Sequence, residues 1–156
     1  MNELITALIV LDQHELFHTL REALEGQSLN VITASNCAEA ALVLWSDCPP
    51  HLVFTGTHLA DGDWQSVLRL ATRASAAVNV VVVAPFVDIS LYLQVIERGA
   101  FDFIVPPLSA PELQHVVRTA AENMFTQRRR RAAQPGAALP VQPEDVGTQV
   151  AVAGAG

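Results

Sequence analysis

Five side chains able to ligate a metal or move a proton fall in two short windows of this sequence: Asp12 and His14, then His58, Asp61 and Asp63. Imidazole with carboxylate is a transition-metal donor set. Just ahead of the second window, Thr55-Gly56-Thr57 sets two hydroxyls around a glycine, the composition of a turn that cradles phosphate. Both sharp readings meet physical objections. A P-loop requires G-x-x-x-x-G-K-[ST], and all nine basic residues are arginine, so the chain has no lysine. A dinucleotide fingerprint requires three spaced glycines opening a helix, and only Gly56 and Gly62 lie nearby. The acids and histidines match no known ligand spacing. Loop Asp and His are ordinary turn formers, and Asp63 is suited to capping a helix. A metal held by Asp12, His14 and His58 is therefore the weaker reading, and no nucleophile–base pair stands out.

Composition narrows the class. The 156 residues suffice for one domain with a proper core and little more. Half are hydrophobic, yet no apolar run reaches the roughly 18 residues that span a bilayer. The start, Met-Asn-Glu-Leu-Ile, has no basic region ahead of an apolar segment, which predicts a soluble, cytoplasmic protein. A net charge of −7 argues against a nucleic-acid surface across the domain. The run Arg128 to Arg131 reads as a charged helix end that complements the helix dipole. Cys37 and Cys48 are expected within one helix, about 16 Å apart, too far for a disulfide.

Short apolar runs alternate with amphipathic stretches. Thr6–Asp12, Asn30–Ser35, His51–Gly56, Val78–Ala84 and Phe101–Val105 read as strands, the fourth β-branched enough to be covered on both faces. Helices are expected from His14 to Glu25, from an Asn36 cap with Glu39 three residues on, from Asp63 to Ala76, from Ile89 to Arg98 before Gly99, and from a Ser109–Glu112 capping box onward. In the last helix Leu113, Val116, Val117, Ala120 and Met124 make the buried stripe. Five strands alternating with five helices predict an α/β fold, a doubly wound five-stranded parallel sheet with helices on both faces. The folded domain is expected over residues 4–124, followed by the basic helix end at 125–131. Residues 132–156, rich in Ala, Gly, Pro, Gln and Val, read as a disordered tail or linker. In such a sheet, ligands bind beyond the carboxyl ends of the strands. Leu11 to Gln13, Gly56 to His58, Val83-Ala84 and Pro106-Pro107 stand there.

Those strand-end residues carry a resemblance. "ALIVLDQHE", "PPHLVFTGTHLADGD", "VNVVVVAP" and "RGAFDFIVPPLSAPEL" come in the order and at the spacings of four motifs of response regulator receiver domains, the CheY-like (βα)5 modules of two-component signal transduction with a flavodoxin-like sheet. The match runs from about Leu4 to Met124. Gly56 aligns with the receiver's phosphoacceptor aspartate. Leu11 aligns with the first acid of the pair after strand one, and only the second, Asp12, is present. Val83 stands for the hydroxyl residue ending strand four, Pro106 for the lysine before the strand-five proline, and Phe103 for the switch aromatic.

Phosphoryl transfer to a carboxylate needs that carboxylate, Mg²⁺ held by several oxygens, and fixed donors for the transferred group. Glycine, leucine, valine and proline supply none of these from their side chains. The resemblance thus implies a pseudo-receiver: a non-enzymatic signalling module with no cofactor and no tightly bound Mg²⁺. It would act through a protein partner or a self-dimer across the last helix, strand five and helix four. Val83 in place of the hydroxyl suggests a Phe103 ring packed in one state. Most of Phe86, Tyr92 and Trp64 are expected to be core, and any left partly exposed on the strand-five side would mark that surface. The alternative is a domain that senses a small ligand or metal in the emptied acidic pocket.

Overall fold

The computed structural model describes residues 5–12, 14–27 and 29–133, with the side chains of 14–16 left aside. In chain order the elements are β1 (Thr6–Val10), α1 (His14–Glu25), β2 (Asn30–Ala34), α2 (Cys37–Leu44), β3 (Leu52–Gly56), β4 (His58–Leu59), β5 (Gly62–Asp63), α3 (Trp64–Thr72), β6 (Asn79–Val83), α4 (Ile89–Glu97), β7 (Asp102–Ile104) and α5 (Ala110–Ala133). Five strands form one parallel sheet in the order β2-β1-β3-β6-β7. The chain moves outward from β1 to β2 and then crosses to β3 on the other side. The order therefore reverses between β1 and β3, which places the crevice above their carboxyl ends.

Strand alternation sorts the core into two layers. Ile9, Phe54, Val81 and Val83 face one side, under Leu20 and Leu24 of α1 and Leu113, Val116, Val117 and Ala120 of α5. Leu8, Val10, Val53 and Val80 face the other, under Ala40 and Leu44 of α2 and Val67 and Ala71 of α3. A smaller cluster of Trp64, Val82, Val95 and Ala100 attaches α4, with Phe103 packed beside it. The expected α5 stripe is buried in full, with Ala121 added to it.

The opposite, amino-terminal end of the sheet is pinned by polar contacts. The buried Asn79 amide donates to the Ala120 carbonyl at 2.8 Å and to Asn123 Oδ1 at 3.0 Å, tying β6 to α5. His51 Nδ1 accepts from the Thr6 backbone N–H at 2.9 Å. Its ring lies 5.4 Å from that of Phe125.

Several boundaries differ from the sequence reading. α2 ends at Leu44, so Cys48 lies beyond it, exposed, just ahead of Pro49-Pro50. α3 stops at Thr72, with Arg73 as its C-cap. Gly99 follows α4 with φ +101, a conformation that suits glycine because it has no Cβ. The dipeptides at 58–59 and 62–63 pair as an antiparallel hairpin too short for periodicity to reveal. Trp64 is core, only 4% exposed, because as the first residue of α3 it turns under α4, whereas Phe86 and Tyr92 are exposed.

The chain divides into two units, Met1–Phe125 and Thr126 onward. In the second, helix continues to Ala133, so Ala132 and Ala133, read as tail, are helical. The remainder of that segment, 134–156, lies outside the described residues. Among the described residues no helix is long and apolar enough to cross a membrane.

Candidate functional site

The crevice is lined by the residues that end the strands. Gly56 pairs with Val83, and Val83 with Ile104, so β3, β6 and β7 finish in one row. Leu11 follows β1, and its backbone N–H donates to the Ala34 carbonyl at 3.3 Å. Its side chain is only 5% exposed and joins Val83 and Ile104 in the core. A Cβ built on Gly56 would stand 2.6 Å from Leu11 Cδ2, closer than any real contact of that kind. The leucine and the glycine therefore fit each other: one fills the space that the other leaves.

The hydroxyls beside Gly56 are used locally. Thr55 is buried and donates to the Gly56 carbonyl at 3.0 Å. Thr57 Oγ1 lies 3.2 Å from His58 Nδ1. Neither contact makes a phosphate cradle.

Among the described residues the candidate ligands do not gather. Asp12 and His58 are exposed at the loops, and the His14 side chain is outside the described part. Asp63 caps α3, accepting from the Ser66 N–H at 3.1 Å while Ser66 Oγ accepts from Asp63 N at 3.3 Å. Asp61 reaches across to α2, where its two oxygens accept from the N–H groups of Cys37 at 2.7 Å and Ala38 at 3.0 Å. Among the described residues no group of three or more His, Cys, Asp or Glu could hold a metal. Mg²⁺ demands near-octahedral oxygen, usually with one or two carboxylates. Among the described residues Asp12 is the one acid on the carboxyl ends of β1, β3, β6 and β7, beside a buried leucine, and this set does not fit the ion.

Asp61 had no signal in the sequence as a cap. Asn36 fills the local role at the α2 N-terminus, accepting from the Glu39 N–H at 2.9 Å. The second cap comes from a distant loop, and Gly62 follows it because a Cβ there would meet Ser66 Oγ at 2.7 Å and Cys37 Sγ at 2.9 Å. Burial first, and then the neighbouring Asp61 carboxylate, push the Cys37 thiol up to about 11, which leaves it an inert packing group.

The Cys37 N–H, followed by the Ala38 N–H, holds the Asp61 carboxyl below its ordinary value. A depressed folded value means stability that is present above the ordinary carboxylate range and lost as pH falls through the folded one. The urea midpoint should therefore drop below about pH 4. Asp61→Asn should lower the neutral-pH midpoint and flatten that acid limb; an unchanged limb would show that the contact carries no linkage.

Phe103 pairs in register with Val82, and the two share the cluster under α4, whereas Val83 faces the opposite layer. Its ring meets Tyr92 of α4 edge-on, with centroids 5.8 Å apart. The aromatic is thus tied to α4 rather than to the crevice wall.

The family model for the response regulator receiver domain matches residues 7–118. The chain belongs to the receiver domain family of response regulators. As a receiver it is 31% identical over 113 residues to the KDP operon transcriptional regulatory protein KdpE of Escherichia coli, covering 72% of this chain and 49% of that protein. It is 27% identical over 114 residues to the response regulator protein PilR of Pseudomonas aeruginosa, covering 73% of this chain and 25% of that protein. The receiver thus spans a quarter to a half of the length of these curated relatives. Its fold matches the crystal structure of a receiver domain protein from Clostridium thermocellum with a TM-score of 0.68 at 19% identity, over 79% of this chain and 98% of that one. The five-stranded parallel sheet expected from the sequence is the CheY-like one. Receivers are modules of two-component signalling that work through contacts with other proteins.

Proposed function

We propose that this receiver transmits its signal by protein–protein contact, without aspartyl phosphorylation and without Mg²⁺. The observation that carries this reading is the fit of Leu11 to Gly56, with Cδ2 2.6 Å from where a Cβ would stand. An acid pocket keeps open, hydrated space between its carboxylates. Here the residues at those positions that carry side chains beyond glycine, Leu11 and Val83, both belong to one buried hydrocarbon cluster, which supports a pocket without acids. Pro106, after β7, offers no cationic side chain to stabilise a transferred group.

The contact surface in this reading is α4 with the loop before it. Phe86 is 69% exposed, Val87 75%, Ile89 72%, Leu93 56% and Tyr92 43%, while Val95 is the one buried residue of the helix. Large side chains adjacent on a surface and this open mark an interaction site. Phe103, meeting Tyr92, extends the patch toward β7, and either a partner or a second copy could cover it.

Incubation with acetyl phosphate and Mg²⁺, followed by intact mass and sedimentation velocity, tests the proposal. The expected result is an unmodified mass and an unchanged size distribution. A stoichiometric phosphoryl adduct would sink it.

A further inference from the structure

The acidic chain carries a concentrated basic surface where the ends of α3 and α4 meet, lined by none of the crevice residues. Arg69 and Arg73 stand one turn apart at the end of α3, and Arg98 caps the end of α4. With Gln65, Leu68 and Thr72 they line a cleft of about 330 Å³ that has no acidic residue in its wall. All three arginines are exposed, and among the described residues none forms an ion pair with a carboxylate. Arg98 donates only to Gln65 Oε1, at 3.3 Å. Arginine at a helix C-terminus offsets the dipole, but that role does not require guanidinium groups of two helices to converge on one concavity.

Arg69 and Arg73 also form one wall of a second groove, of about 360 Å³, whose other wall includes Ala41 and Trp45 of α2. Trp45 is 53% exposed, and its indole is fixed by an N–H bond to the Leu70 carbonyl at 3.1 Å. Asp61 lines this groove too, but its oxygens are committed to the α2 amides. The two arginines are thus a ridge with a cationic cleft on one side and an aromatic groove on the other.

We propose that this ridge docks a short acidic peptide segment of a partner protein, with its carboxylates on Arg69, Arg73 and Arg98 and an apolar side chain against Trp45. Guanidinium forks pair with carboxylates in bidentate fashion. A fixed, half-exposed indole is a typical anchor for an apolar side chain. No aromatic lines the cationic cleft to stack a base, so the geometry favours a peptide over a nucleotide. The site stands whether or not Gly56 governs phosphorylation.

Tryptophan fluorescence provides the test, because Trp45 is exposed and Trp64 is buried. The probe is a terminally blocked pentapeptide of Asp and Glu around a central Leu, titrated against its Asn/Gln counterpart. The acidic peptide should give saturable quenching or enhancement that weakens with salt, and the neutral peptide none. The Arg69→Gln/Arg73→Gln pair keeps much of the aliphatic stems and should bind about ten-fold more weakly, whereas Arg118→Gln on α5 should bind as the parent does. Equal binding of the two peptides, parental affinity in the double variant, or no saturation with the acidic peptide would each overturn the proposal.

Discussion

Gly56→Ala should destabilise the receiver by roughly 1–2 kcal/mol, and the same substitution in a Leu11→Ala background should be neutral or stabilising. Two opposed effects set the sign. Alanine restricts the unfolded chain, which alone stabilises by about 0.4–1 kcal/mol. Against that, the new methyl meets Leu11 Cδ2 at 2.6 Å, and overpacking typically costs about 1–3 kcal/mol. Leucine tips are flexible, so the outcome rests on whether Leu11 can yield. It is wedged among Val83 and Ile104 with 5% of its surface open, and we expect the clash to win. Removing the isobutyl group leaves the gain alone. Urea unfolding of the four proteins in a double-mutant cycle reads the coupling directly. The same sign in both backgrounds would show that the pair is not coupled as described.

Trp64→Ala should cost about 3–5 kcal/mol, the range for a large aromatic deleted from a core. The effect should also be uneven. α4 sends only Val95 into the interior, and Trp64 is the largest side chain in the cluster beneath it. Loss of the indole therefore undermines α4 more than α1 or α5, each of which buries several residues in the opposite layer. Amide exchange should accelerate first over residues 89–97 at urea concentrations that leave the rest protected. Uniform acceleration along the chain would mean that α4 has no separate stability.

Much of this architecture was legible because the signals were local. The β-branched run at 79–83, the Ser109–Glu112 capping box and the α5 stripe each declare an element within a few residues, and motif order along the chain declared the family. What stayed hidden was non-local. In the sequence Asp61 is one of several loop acids able to ligate a metal, and only the fold brings it against α2. Trp64 opens a helix from a loop of polar residues, so nothing in its neighbourhood announced burial under α4. The sequence points to a helix through Cys48 because no glycine or capping signal separates it from Leu44 and Pro49-Pro50 offers a later stop. At the site, sequence identified Leu11 and Gly56 as departures from a pattern. That the two fit together sterically could be read only from the coordinates.

That fit has a consequence for descent. On the coupling expected above, a lineage carrying this pair regains an acidic pocket one codon at a time only through a weakened intermediate. An aspartate at 56 meets the leucine, whereas an aspartate at 11 drops a charge into a hydrocarbon wall and leaves a hole beside the glycine. Each step is penalised until the other has happened. On that coupling the packing acts as a ratchet on the pair, holding Leu11 and Gly56 together.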